Sequence, residues 1–260
     1  MSAPASSPVF RRYVALGDSF TEGVGDPDPV RPNGLRGWAD RVAEVLALQD
    51  PDFRYANLAV RGRLLGPILE EQLDAAIALE PDLVTIYAGG NDLIRPRIDI
   101  DALASTYDAA LGRLAATGAT LGVFTAFDPG AGGPFGRLRG RFALYNERVR
   151  EIAEGHGAVV LDSWRMRPEH PELLWSEDRL HLGPLGHRAV AAEVLTTLGV
   201  PHDLDATDPT GAIGDSPFKA GRRADVDWLV RHAVPWVRRR LTGRSSGDDV
   251  EPKRPTLQPI

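Results

Sequence analysis

The chain has 260 residues, 43% hydrophobic and 25% charged, which suits one soluble α/β domain with an appendage and a core of ordinary size. Its net charge of −6 argues against a broad nucleic-acid footprint, so no nucleic-acid partner is expected. It contains no cysteine, which excludes disulfides, thiolate zinc sites and cysteine nucleophiles.

The first residues lack the basic start and the ~7–15-residue apolar run of a secretory signal. No stretch approaches the ~20 apolar residues of a membrane span, so a soluble, cytoplasmic protein is expected. Tyr13–Leu16 is a short apolar run ending at Gly17. Leu35–Leu48 has helical spacing, with Trp38, Val42, Val45 and Leu46 on one side. Tyr55–Val60 reads as the next strand, and Leu64–Leu79 as a helix that stops before Pro81. Leu83–Ala88 is continuously apolar, as expected for a parallel strand covered on both faces. Asp101–Ala116 reads as a helix, Ala119–Ala126 as a strand, Arg141–Glu154 as a helix and Ala158–Leu161 as a fifth strand. Between them, 130–140 is rich in Gly and Pro, either a mobile rim loop or an elaborated connection. A last helix, Gly183–Leu198, has Pro184 in its first turn and Gly199 at its end.

Five strands alternating with helices imply a parallel sheet between two helix layers. Right-handed crossovers place every strand's carboxyl end on one edge, where ligands bind in such sheets. The segments following the strands are Gly17-Asp18-Ser19-Phe20, Arg61-Gly62-Arg63 and Gly89-Gly90-Asn91-Asp92, with Asp178-Arg179-Leu180-His181 on the approach to the last helix.

These residue types suit acyl transfer. A serine needs a neighbouring base, and histidine, with a reference pKa of ~6.5, serves near neutral pH. A carboxylate must then fix the imidazole tautomer and stabilise the imidazolium. Ser19, His181 and Asp178 are the candidates, and a single turn can join the last two across their three-residue spacing. The backbone N–H groups of Ser19 and Gly62 and the Asn91 amide can supply donors to a tetrahedral oxyanion. Glu177 and Asp162 are the fallback carboxylates. His187, inside the last helix with no acid suitably placed, reads as structural. Asp18 reads as an organiser of its turn, and Asp92 as a cap for the segment after it. Gly23-x-Gly25 has no third glycine and no Gly-Lys-Ser/Thr, so a phosphate loop is disfavoured. No H-x-H or H-E-x-x-H pattern occurs, so no metal is expected.

With G-D-S-F at 17–20, N-L-A-V-R-G-R at 57–63, G-G-N-D at 89–92 and D-R-L-H at 178–181, the sequence resembles the GDSL/SGNH hydrolase superfamily from about Tyr13 to Leu198. The four letters of the second name fall on Ser19, Gly62, Asn91 and His181. The resemblance implies a flavodoxin-like three-layer α/β/α fold with a five-stranded parallel sheet. It implies a cofactor-free serine esterase working through an acyl-enzyme on a small-molecule ester and leaves the substrate open; the absence of an obvious apolar lid favours short acyl or acetyl groups here. Acyl transfer to another acceptor, or lysophospholipase or thioesterase activity by the same triad, stays open. So does a silent binding module.

Residues 1–200 are thus expected to form the hydrolase domain, 201–242 a strap and an amphipathic helix, and 243–260 a disordered tail. The helix, Asp225–Leu241, carries Trp228, Trp236 and Arg238–Arg240 and is broken by Pro235. It is compatible with packing on its own domain, with an oligomer, or with weak contact to an anionic membrane surface.

Overall fold

β1 (Arg12–Leu16) lies inside a sheet whose strands follow the order β5 (Val159–Leu161), β4 (Thr120–Phe124), β3 (Leu83–Ile86), β1, β2 (Arg54–Asn57) and β6 (Arg254–Gln258). The computed structural model describes residues 8–130, 135–166, 174–205, 231 and 245–260. β2 (Arg54–Asn57), β3 (Leu83–Ile86), β4 (Thr120–Phe124) and β5 (Val159–Leu161) all run parallel to β1. Between and after the strands come α1 (Ser19–Glu22), α2 (Gly37–Gln49), α3 (Leu65–Ile68), α4 (Asp74–Ala78), α5 (Gly90–Leu93), α6 (Ile100–Ala115), α7 (Arg139–Gly155) and α8 (Pro184–Thr197).

The period-two geometry of a strand divides the core. Val14 and Leu16 of β1 join one cluster with Ile68 and Leu73, with Tyr107 and Leu111 of α6, and with Tyr145 and Val149 of α7. Tyr13 and Ala15 face the other way, onto Trp38 and Val42 of α2 and Val190 and Val194 of α8. The sheet is therefore the middle layer of three, as expected. The chain leaves β1 to β2 on one side and returns to β3 on the other, so the strand order switches at β1. A crevice at the carboxyl edge follows from that switch.

The expected single helix over 64–79 is interrupted. α3 and α4 are joined by one wide π turn, Leu69–Leu73, and bulges of this kind recur at functional sites. Here the turn buries Gln72, whose amide accepts from the Gly17 N–H at 2.8 Å and donates to the Gly17 carbonyl at 2.9 Å.

The sheet has six strands rather than five. The tail expected to be disordered supplies β6 (Arg254–Gln258), antiparallel to β2 with Asn57 beside Arg254 and Tyr55 beside Gln258. Polar composition misreads this segment because its partners are distant in sequence. The Lys253 ammonium, fully buried, meets Asp40 of α2 at 2.9 Å and donates to the Arg36 carbonyl at 2.7 Å. The Arg254 guanidinium lies 5.8 Å over the Tyr55 ring. Pro255 is tolerated because β6 is an edge strand.

Gly136–Leu138 form a single 3-10 turn leading into α7, which starts two residues before expected. The expected helix over 225–241 lies outside the described residues apart from Arg231. So does most of the strap, and with them the membrane-surface reading. Among the described residues, no helix is long and apolar enough to cross a membrane.

Candidate active site

α1 begins directly at the carboxyl end of β1, and Asp18 is its N-cap. The Asp18 Oδ1 accepts from the Phe20 N–H at 3.0 Å, which fixes the turn that presents Ser19. Phe20 anchors the short helix among Trp38, Tyr87, Phe124 and Phe127, with ring centroids 4.8–5.5 Å away.

Ser19 Oγ stands 3.1 Å from His181 Nε2, and His181 Nδ1 stands 2.6 Å from Asp178 Oδ2. The carboxylate places the proton on Nδ1 and leaves Nε2 to accept from the serine hydroxyl. The other oxygen, Asp178 Oδ1, accepts from Ser176 Oγ at 2.7 Å and from the N–H groups of Leu180 and His181, both at 2.9 Å. Burial alone would push the Asp178 carboxyl up. The donors from His181 and Ser176 outweigh it and hold the group well below the usual carboxylate range. The loop carrying these residues is closed by a bridge between Trp175 and Leu182 and by the Ser176 N–H on the His181 carbonyl at 2.8 Å. Arg179 turns its corner at φ 57.

The loop after β2 is tied to α1. Asn57 donates to the Thr21 carbonyl at 2.9 Å. Glu22, fully buried, accepts from the Arg61 N–H at 2.8 Å and grips its guanidinium as well. Gly62 follows with φ 77, in the left-handed region. Asn91, in α5, turns its amide nitrogen to two acceptors, Asp18 Oδ2 at 2.8 Å and the Arg63 carbonyl at 3.1 Å. Asn91 thus links the serine turn to the Gly62 loop. Burial pushes the Asp18 carboxyl up to about 7, against the Phe20 N–H and the nearby His181, which pull it down.

The structure brings Ser19, His181 and Asp178 into one hydrogen-bonded chain, and Asn91 bonds Asp18, the residue before Ser19. The fallback acids are elsewhere: Asp162 pairs with Arg150 at 3.0 Å, and Glu177 is exposed. His187 is wholly buried, accepting from the Trp38 N–H at 3.2 Å and donating to the Val24 carbonyl at 3.1 Å. Asp92 caps the earlier helix α3 rather than the segment after it, accepting from the Leu65 N–H at 3.0 Å. Sequence reasoning missed Gln72, Ser176 and the Glu22–Arg61 pair. Gln72 had a signal, a polar residue on the apolar side of a helical stretch; the other two had none. Among the described residues, no group of three or more His, Cys, Asp or Glu side chains is placed to hold a metal ion.

The chain is thus a three-layer α/β protein with a serine, a histidine and an aspartate in hydrogen-bonding order at the carboxyl edge of its sheet. The chain belongs to the GDSL-like lipase/acylhydrolase family, whose model matches residues 15–189. It is accordingly a carboxylic ester hydrolase. Similar solved structures include LAE5, an alpha/beta hydrolase from the metagenome of Lake Arreo, at 21% identity and TM-score 0.60, covering 74% of this chain and 97% of that one. Axe2, an acetylxylan esterase from Geobacillus stearothermophilus, matches at 20% identity and TM-score 0.58, covering 74% and 95%. The psychrotrophic esterase EstA from Pseudoalteromonas sp. matches at 18% and 0.56, covering 72% and 95%. No curated protein sequence gave a significant match.

Proposed function

We propose that the enzyme hydrolyses esters of short acyl groups, acetyl among them, through a Ser19-His181-Asp178 triad and an acyl-enzyme. The observation that carries the triad is the unbroken line from Ser19 Oγ to His181 Nε2 at 3.1 Å and from Nδ1 to Asp178 at 2.6 Å, while the likeness to an acetylxylan esterase supports the short acyl group. Ser19 Oγ attacks the acyl carbon while His181 Nε2 takes its proton. Asp178 stabilises the imidazolium without itself being protonated. His181 returns the proton to the leaving alcohol, then activates the water that releases the acid.

The oxyanion is met by the N–H groups of Ser19 and Gly62 and by the Asn91 amide. Asn91 reaches it by releasing one of its two present acceptors. Asp18 is the weaker holder of the two whenever its carboxyl is protonated. Half-buried Phe127 and Trp175, with ring centroids 5.9 Å apart and Phe127 against Phe20, offer an apolar wall beside the serine turn. Axe2 variants described as catalytic mutants are changed at a serine, a histidine, and an aspartate three residues before that histidine, the same spacing as Asp178 and His181.

The test is a p-nitrophenyl ester series of rising acyl length on the wild type and on Ser19→Ala. Turnover should be greatest for acetyl to butyryl esters. It should fall by at least about ten-thousand-fold in Ser19→Ala, as expected when a triad nucleophile is removed. Equal weak rates in the two proteins would refute the triad. A maximum at long acyl chains would refute the short-acyl reading and leave the triad standing.

A further inference from the structure

The loop Arg61–Arg63 has a second neighbour, far along the chain and outside the span that the family model matches. Residues 245–250 form a turn closed by the Ser245 N–H on Asp248 Oδ2 at 2.8 Å, the Gly247 N–H on Ser245 Oγ at 3.2 Å and the Val250 N–H on the Gly247 carbonyl at 3.2 Å. Ser245 Oγ faces the Arg61 carbonyl at 3.5 Å, and Asp248 approaches the Arg63 guanidinium at 3.7 Å. Gly247 packs so closely that a methyl group there would collide with the Arg61 carbonyl oxygen and come within 2.9 Å of Val60 Cγ1. A methyl on Gly62 would in turn strike Ser245 Oγ.

The Arg61 carbonyl and the Gly62 N–H belong to one peptide unit. That unit is planar and trans, so its C=O and N–H point in opposite directions. Whatever fixes the carbonyl therefore aims the N–H. Glu22 holds Arg61 by its own N–H and guanidinium, but nothing in that grip sets the rotation of the following peptide. The turn does so by meeting the carbonyl. It is held in place by β6, by the buried Lys253–Asp40 pair and by the Asn33 amide on the Glu251 carbonyl at 3.0 Å.

We infer that residues 245–250 are a positioning element of the active site: by seating the Arg61 carbonyl, Ser245 and Gly247 aim the Gly62 N–H at the oxyanion. The inference rests on the reading of Gly62 as an oxyanion donor.

The test uses the full chain with Gly247→Ala, which forces the Arg61–Gly62 peptide or the turn to move. A misaimed donor should lower kcat roughly 10–100-fold, since loss of one such donor is worth about that much or more. KM should stay within about threefold, because the ground-state ester does not use the donor fully. Affinity for phenylboronic acid, which forms a tetrahedral adduct on the serine, should fall in step with kcat/KM. Rates are taken per active site titrated with a fluorophosphonate. A purely structural role would reduce the number of titratable sites and leave kcat per site at the wild-type value, which would overturn the inference. Should Gly247→Ala fail to fold, Ser245→Ala/Asp248→Asn loosens the same turn at its surface and leaves the Lys253–Asp40 pair intact. A lower kcat with unchanged KM supports the role, and a wild-type kcat overturns it. Wild type that reacts with the fluorophosphonate at Ser19 while the variants keep full kcat sinks the positioning role alone. Wild type that does not react at Ser19 sinks the triad reading as well.

Discussion

Asp178 divides its work between its oxygens. Oδ2 serves the imidazole of His181, while Oδ1 is saturated by the Ser176 hydroxyl and two backbone N–H groups. Every one of these partners is a donor, so an amide in its place must set an NH2 against a donor. If that NH2 faces the ring, His181 must place its proton on Nε2 and can no longer accept from Ser19. Asp178→Asn should therefore lower kcat by roughly ten-thousand-fold, the scale of a tautomer error in such a triad. The protein should remain folded, because the changed group is half-buried and keeps its shape. Steady-state kinetics beside a thermal melt checks both. Asn91 shows a different economy: its nitrogen serves Asp18 Oδ2 and the Arg63 carbonyl, so it holds two loops together.

At the level of elements, the parallel strands were legible because short apolar runs ending in Gly or Asp-Ser are hard to read otherwise. The hydrogen-bonded line of Ser19, His181 and Asp178 was legible for the same reason, since these residues sit just past such a run or at a three-residue spacing. The π turn at Leu69–Leu73 was not legible, because one extra residue in a helical turn leaves the apolar periodicity almost intact. β6 was invisible for another reason. R-P-T-L-Q has little apolar content, and the contacts that seat it, its ladder with β2 and the Lys253–Asp40 pair, are made across roughly two hundred residues. Burial pushes the Asp40 carboxyl up and the Lys253 ammonium down, and each partner's charge opposes its neighbour's shift. Lys253→Met should thus destabilise the protein by about 3–5 kcal/mol, by leaving a buried carboxylate without its cation. Adding Asp40→Leu should recover most of that loss, because removing both charges removes the desolvation penalty too. Urea unfolding of wild type and the two variants distinguishes this from a surface pair, whose loss would register below about 1 kcal/mol.

Across the whole molecule, two buried groups set opposing pH dependences. His187 is lowered by burial to about 4 from 6.5, so the unfolded chain binds the extra proton first. Its contribution to stability is present above pH 6.5 and is lost as pH falls toward 4. Asp18 is raised by burial from 3.8 to about 7, so the folded chain holds the proton longer, and stability falls as pH rises from about 4 to 7. Over this window the two contributions oppose one another. His187→Asn should therefore turn the stability profile downward between pH 4.5 and 7 relative to wild type, and Asp18→Asn should turn it upward. Urea midpoints at those two pH values read the slopes, and parallel profiles for all three proteins would contradict the assignment. The sixth strand has a further consequence, in time rather than energy. β2 leaves the ribosome roughly 200 residues before its partner β6, which at ~5–20 residues per second is a delay of about 10–40 s. For that interval a nascent chain carries an open sheet edge and an acidic core residue awaiting its cation. Unfinished chains should therefore be both inactive and the species most in need of chaperone cover.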